Sequence, residues 1–221
     1  MTVTQSLNNI SLGMETKEPT IAHLPAFPFF IASQFVDKTK MKPLISVIHV
    51  RVEDGYISIE ATNGHIAFRF KFPKIEKFYA NESFLVSSES FQKRVVKGNS
   101  IIFNENNYAS IQDKSDQWIE SKAWKNPLIV ETNTYPNLPE IIPNEFSNEF
   151  KKSFSFNAKY MKLISQMVAT YSSTNVMTFN GNHPKTPFMI TAKTKLNEFK
   201  HLELDDQPKL EFLIMPIQVR S

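Results

Sequence analysis

Residues 44–72 read LISVIHVRVEDGYISIEATNGHIAFRFKF, and this stretch decides the fold class. Ile45, Val47, His49 and Arg51 alternate with Ser46, Ile48 and Val50. Asp54-Gly55 interrupts the run before Tyr56–Glu60, and Asn63-Gly64 interrupts it again before Ile66–Phe72. Asp-Gly and Asn-Gly dipeptides reach positive φ at little cost, as tight hairpin turns require. The stretch therefore predicts a three-stranded antiparallel meander. Side chains alternate across a strand, so Phe68, Phe70 and Phe72 share one face of the last strand, with Arg69 and Lys71 on the other.

Upstream, Pro28 to Val36 reads as a short helix with proline in its first turn, and residues 1–21 as a flexible, polar N-terminal segment. Downstream the pattern recurs in outline. Phe84-Leu85-Val86 is a short strand, and Ser87 or Ser88 caps a helix through Phe91 and Val95 that stops at Gly98. Ile101–Phe103, Tyr108–Ile111 and Trp118–Ser121 are strand candidates. A proline-marked stretch, Tyr135 to Pro143, and the polar run 144–152 form a connector. Phe154–Phe156 then reads as a strand, Asn157 caps a helix from Ala158 to about Tyr171, and Val176–Phe179, Phe188–Thr191 and Leu210–Val219 read as strands. Helices returning to antiparallel sheets define an α+β class.

Composition narrows the function. The 221 residues suffice for a buried core without covalent staples, and 19 phenylalanines argue against wholesale disorder. The chain has no cysteine, which removes disulfides, thiol nucleophiles and thiolate metal sites and fits a reducing cytoplasm. The first residues lack the basic and apolar regions of a signal peptide, and no apolar run is long enough to span a bilayer. The net charge of +3 permits contact with nucleic acid without requiring it. His23, His49, His65, His183 and His201 show no metal-ligand spacing, and the 5 glycines form no phosphate-binding loop. Glu203, Asp205 and Asp206 have no nucleophile or base beside them in sequence and read as a loop charge cluster. No catalytic residue, metal or cofactor is expected.

Three separated stretches carry a resemblance to a known family. Ala61-Thr62-Asn63-Gly64-His65-Ile66-Ala67 resembles the "ATDGHRLA" turn in the second domain of bacterial DNA polymerase III beta sliding clamps. Tyr135 to Pro143 resembles the "FPDYRRVLP" stretch that closes that domain, and Leu213 to Val219 resembles the "VVMPMRL" that ends the clamp chain. Smaller echoes are Ser121-Lys122-Ala123, Phe156–Tyr160 and Thr186-Pro187-Phe188. The resemblance runs over residues 22–221. It implies a DNA clamp fold, with antiparallel sheets carrying helices on one face. Residues 22–143 would be a lobe like the second clamp domain, and 144–221 a half-lobe like the end of the third.

The resemblance also implies a function: a non-enzymatic replication accessory protein that docks peptide motifs of polymerases or repair proteins and contacts or encircles double-stranded DNA, with a homo-oligomer as one form. A monomeric clamp-derived adaptor or inhibitor, or an unrelated binding module, are the alternatives. Carried over residue by residue, the peptide cleft comprises Thr62, Gly64, His65, Pro136, Ile141, Leu213, Met215, Pro216 and Ile217. An ordinary hairpin turn, a surface histidine and a core strand would account for the same residues. DNA-contacting candidates are Lys93, Arg94 and Lys97 on one helix and Lys159 and Lys162 on another, for which a solvated helix face is the plainer explanation. The sequence departs from the family where Ile66 replaces an arginine after the motif histidine and where Pro139 and Glu140 replace paired arginines.

Overall fold

The meander forms as its turns dictate. In the computed structural model, strands β2 (Val47–Glu53), β3 (Tyr56–Thr62) and β4 (Ile66–Pro73) pair antiparallel. Gly55 and Gly64 occupy the turns at φ +72° and +88°. At the second turn Asn63 Oδ1 accepts from the backbone N–H groups of His65 (2.9 Å) and Ile66 (3.1 Å). Thr62 donates its hydroxyl to the Ile66 carbonyl at 2.8 Å. The meander starts later than the alternation suggests: Pro43–Ile45 is a 3-10 turn, because Pro43 at its start favours a turn, and Ile45 lies outside β2.

The structure describes residues 20–39, 41–76, 78–88, 100–104, 108–112, 118–123, 135–142, 154–181, 186–194 and 208–216. Within them β5 (Phe84–Ser87), β9 (Thr178–Asn180), β10 (Phe188–Lys193) and β11 (Lys209–Ile214) join the meander in one seven-stranded sheet, ordered β5-β2-β3-β4-β11-β10-β9. The central joint is β4 against β11, with Ile66 opposite Ile214 and Lys71 opposite Lys209. Residues from both sides of position 144 thus share one sheet. A second sheet, β1-β6-β7-β8, comprises β1 (Thr20–Pro25), β6 (Ser100–Asn104), β7 (Tyr108–Gln112) and β8 (Trp118–Ala123). Every strand pairing in both sheets is antiparallel.

Several expectations need correction. The strands of 22–143 fall in two sheets. Thr20 and Ile21, read with the N-terminal segment, open β1, where Ala22 and Leu24 are fully buried. Phe154–Phe156 is no extended strand; the rings of Phe154 and Phe156 instead pack edge-on against Phe188. The expected helix 88–98 lies largely outside the described residues.

Both sheets close on one core. Helix α1 (Phe27–Ala32) buries Phe27, Phe29 and Ile31 between them. Phe27 meets Phe70 at 5.2 Å between ring centres, and Phe29 meets Phe103 of the other sheet at 5.4 Å. Helix α3 (Ala158–Tyr171) starts at Asn157, whose side chain accepts from the Lys159 N–H at 2.9 Å. Its Ile164, Val168 and Tyr171 fall at helical spacing and bury on the same core. Phe68, Phe70, Phe72 and Phe212 lie on that side of the seven-stranded sheet, essentially without exposure.

Candidate peptide-binding surface

The other face of the seven-stranded sheet carries no long helix among the described residues, and its side chains form rows set by register. One row runs Thr62, Ala67, Leu213, Met189, Asn180 across five strands. The next runs His49, Glu60, Arg69, Glu211, Thr191, Thr178. A third runs Arg51, Ser58, Lys71, Lys209, Lys193. The face is therefore apolar along one row, of alternating charge along the second, and basic along the third.

The segment 135–142 lies over this face. Helix α2 (Leu138–Ile141) is a single turn, with Pro139 in its first turn and Glu140 exposed. Tyr135 anchors the approach. It is buried with Val47 and Leu85, and its ring sits 4.7 Å from that of His49. Burial pushes its hydroxyl far above the usual tyrosine range, and the charge of Glu60 pushes the same way. Glu60 itself is fully buried, held by His49 Nδ1 at 3.2 Å and Arg51 Nε at 3.1 Å.

Beyond this anchor, Leu138 packs with Ala67 and Leu213 in a small apolar cluster, and Ile142 and Met189 close around it. One member comes from each of the three stretches singled out in the sequence. The first and third are also bonded directly: the Met215 N–H donates to the His65 carbonyl at 3.2 Å. Of the sequence-derived residues, Thr62 and Leu213 are buried, Pro136 and Pro216 half-buried, and Gly64 and His65 exposed. Ile141 (46% exposed) and Met215 (41%) present bare apolar surface at the rim. Ile217 lies outside the described residues.

Ala67, Leu138, Ile142 and Met189 were not singled out. The first three lie inside or beside the quoted stretches, where apolar character alone could have flagged them. Nothing local marks Met189, which joins through its pairing with Leu213. Ile66 is buried against Ile214, so an apolar core residue stands at the family's arginine position. Lys159 and Lys162 are exposed on α3, away from Ile164 and Val168. Lys93, Arg94 and Lys97 lie outside the described residues. Among the described residues no three His, Asp or Glu side chains are grouped to hold a metal, and no helix is long and apolar enough to cross a membrane.

Antiparallel sheets continuous across a joint, with the longer helices α1 and α3 gathered on one side, define a clamp-like α+β architecture. Solved bacterial beta clamps share it. The Helicobacter pylori beta clamp solved with diflunisal superposes with a TM-score of 0.63 at 15% identity, covering 90% of this chain and 66% of that one. The same clamp bound to a DNA ligase peptide gives 0.61 at 14% identity, over 91% of this chain and 67% of that one. The DNA polymerase beta subunit of Streptococcus pyogenes gives 0.59 at 12% identity, over 92% and 67%. The chain thus has the beta-clamp fold and spans about two thirds of the clamps it matches. No protein-family model and no curated protein matches the sequence.

Proposed function

We propose that this chain is a clamp-like docking protein that works by binding rather than catalysis. Its apolar patch at Ala67, Leu138 and Leu213, rimmed by Ile141 and Met215, receives linear peptide segments of cytoplasmic replication or repair proteins. The observation that carries this reading is the convergence of three stretches, distant in sequence, on one patch that leaves large apolar side chains exposed at its edge. Exposed apolar surface around a packed centre is how short peptides are held, a few buried anchors carrying most of the affinity. The Helicobacter pylori clamp bound to a DNA ligase peptide is a neighbour in fold, which supports a peptide as the occupant.

Under this reading residues 22–143 act as one lobe and 144–221 as a half-lobe, with the groove at their junction. Burial of Leu and Phe anchors returns about 25 cal/mol per Å², less the cost of ordering the peptide. Micromolar affinity is expected, since Ile66 and Glu140 offer no guanidinium to the peptide's carbonyls or carboxylates. The test is titration of a labelled peptide with Leu and Phe anchors against wild type and Met215→Asp. The variant sets a charge in the groove at an exposed position, so it should abolish binding while thermal unfolding stays unchanged. Equal binding by both proteins, or none by either, would exclude the groove.

The same reading includes weak contact with double-stranded DNA through Lys159 and Lys162, whose exposure on α3 supports it. Such contact reads phosphates and weakens with salt. Replacing both with alanine should lower DNA affinity and flatten its salt dependence. Unchanged binding would remove this part of the reading.

A further inference from the structure

The patch opens at Met189 into a groove of about 550 Å³ whose walls include Val176, Asn180, Thr191, Lys193 and Lys209. Met189, Thr191 and Lys193 are successive outward residues of β10, so the groove runs along that strand from the apolar row to the basic row. At its far end Lys193 and Lys209 stand directly opposite each other in register. Like charges so placed repel.

The neighbouring charges on this face are paired. Lys71, beside Lys209, meets Glu53 at 3.0 Å; Arg69 holds Glu211; and Arg51 holds Glu60. Lys193 and Lys209, both exposed, have no counter-charge among the described residues. The groove is therefore continuous with an apolar anchor site at one end and carries at the other two exposed cations without a counter-charge among the described residues. Threonine and asparagine side chains between them suit the polar backbone of an extended chain, and the Glu211 carboxylate in the same wall is taken up by Arg69.

Resting on the docking function proposed above, we propose that the partner peptide carries acidic residues beside its apolar anchor, and that Lys193 and Lys209 receive them. The spacing follows from β10. Lys193 lies four positions beyond Met189, roughly 13 Å at about 3.3 Å per residue. An extended peptide laid along the strand spans the same distance, so its carboxylates begin about four positions from the last anchor. The chain thereby selects partners by a two-part pattern, apolar residues and then acid, rather than by the anchor alone.

The experiment compares three labelled peptides on the full chain at low salt. One has Leu and Phe anchors alone, one adds three acidic residues beginning four positions away, and one places the same acidic residues directly beside the anchors. The spaced acidic peptide should bind roughly threefold to tenfold more tightly than the anchor-only peptide, an advantage that fades with added salt. In the Lys193→Glu/Lys209→Glu double variant that advantage should vanish while anchor-only binding is unchanged. Both substitutions are at exposed positions, and matched circular dichroism keeps folding out of the comparison. Binding of the anchor-only peptide with no gain from the spaced acids overturns the inference and leaves the docking function standing. So does an advantage that survives the double variant, or one equal for adjacent acids. No binding of the anchor-only peptide to wild type overturns the docking function itself.

Discussion

The two faces of the seven-stranded sheet are built from the same strands yet differ in kind. On the helix-covered face Ile48, Val50, Ile57, Ile59, Phe68, Phe70, Ile190 and Phe212 make one dry surface, and any of them could be another hydrophobe of similar volume. On the outer face, rows of Ala67 and Leu213, of Glu60, Arg69 and Glu211, and of Lys71, Lys209 and Lys193 run side by side. There the chemistry depends on which residue stands opposite which. One face supplies cohesion through bulk; the other supplies recognition through register.

The largest test of that contrast lies within β11. Phe212 is fully buried, its ring 5.5 Å from Phe68 and 5.6 Å from Phe35. Phe212→Ala should cost about 3–5 kcal/mol in urea unfolding. Lys209→Ala, three residues away and exposed, should stay within about 0.5 kcal/mol. Comparable losses would mean that the outer row is structural and the contrast is wrong.

Glu60 marks where the outer face does contribute to stability. Glu60→Ala strips both His49 and Arg51 of their buried carboxylate and should cost about 3 kcal/mol. A negligible loss in the same unfolding assay would confine cohesion to the helix-covered face. A smaller effect, about 1 kcal/mol, is expected for Gly64→Ala. A methyl there meets nothing closer than Ile45 Cδ1 at 3.9 Å, so the cost is backbone strain at φ +88° rather than crowding. A stability gain on that substitution would show the turn to be unstrained.

Tyr135→Phe should be nearly silent at neutral pH, since the buried hydroxyl makes no close side-chain hydrogen bond among the described residues. Its signature is alkaline. The folded state holds the proton more tightly than the unfolded chain, so this contribution is fully present below the ordinary tyrosine value of about 10 and is lost as pH rises above it. The phenylalanine variant should lose less stability than wild type in that window. Parallel pH curves would exclude Tyr135 as the source.

What the sequence disclosed was local. The meander was legible because Gly55 and Gly64 sit at turns that demand positive φ, and α3 because Asn157 caps a run of apolar residues at helical spacing. Strand β1 escaped notice because it is short, ends at Pro25 and pairs with a segment about eighty residues away. The three stretches of the groove could be picked out one by one, yet their meeting depends on β4 pairing with β11, which no turn or cap announces. The basic row was hidden for the same reason: Lys71, Lys193 and Lys209 become neighbours only once that register is set.

The β4–β11 joint also has a consequence for how the chain reaches its native state. Ile66 and Ile214 face each other across most of the sequence, so the sheet cannot be completed during synthesis until β11 has left the ribosome. At about 5–20 residues per second, β4 waits roughly 7–30 seconds with one backbone edge unpaired and its phenylalanine face incompletely covered. Such an edge is a template for pairing with other chains, and closure of so distant a pair is intrinsically slow. During that interval the nascent chain presents an edge and an apolar face that the finished sheet hides.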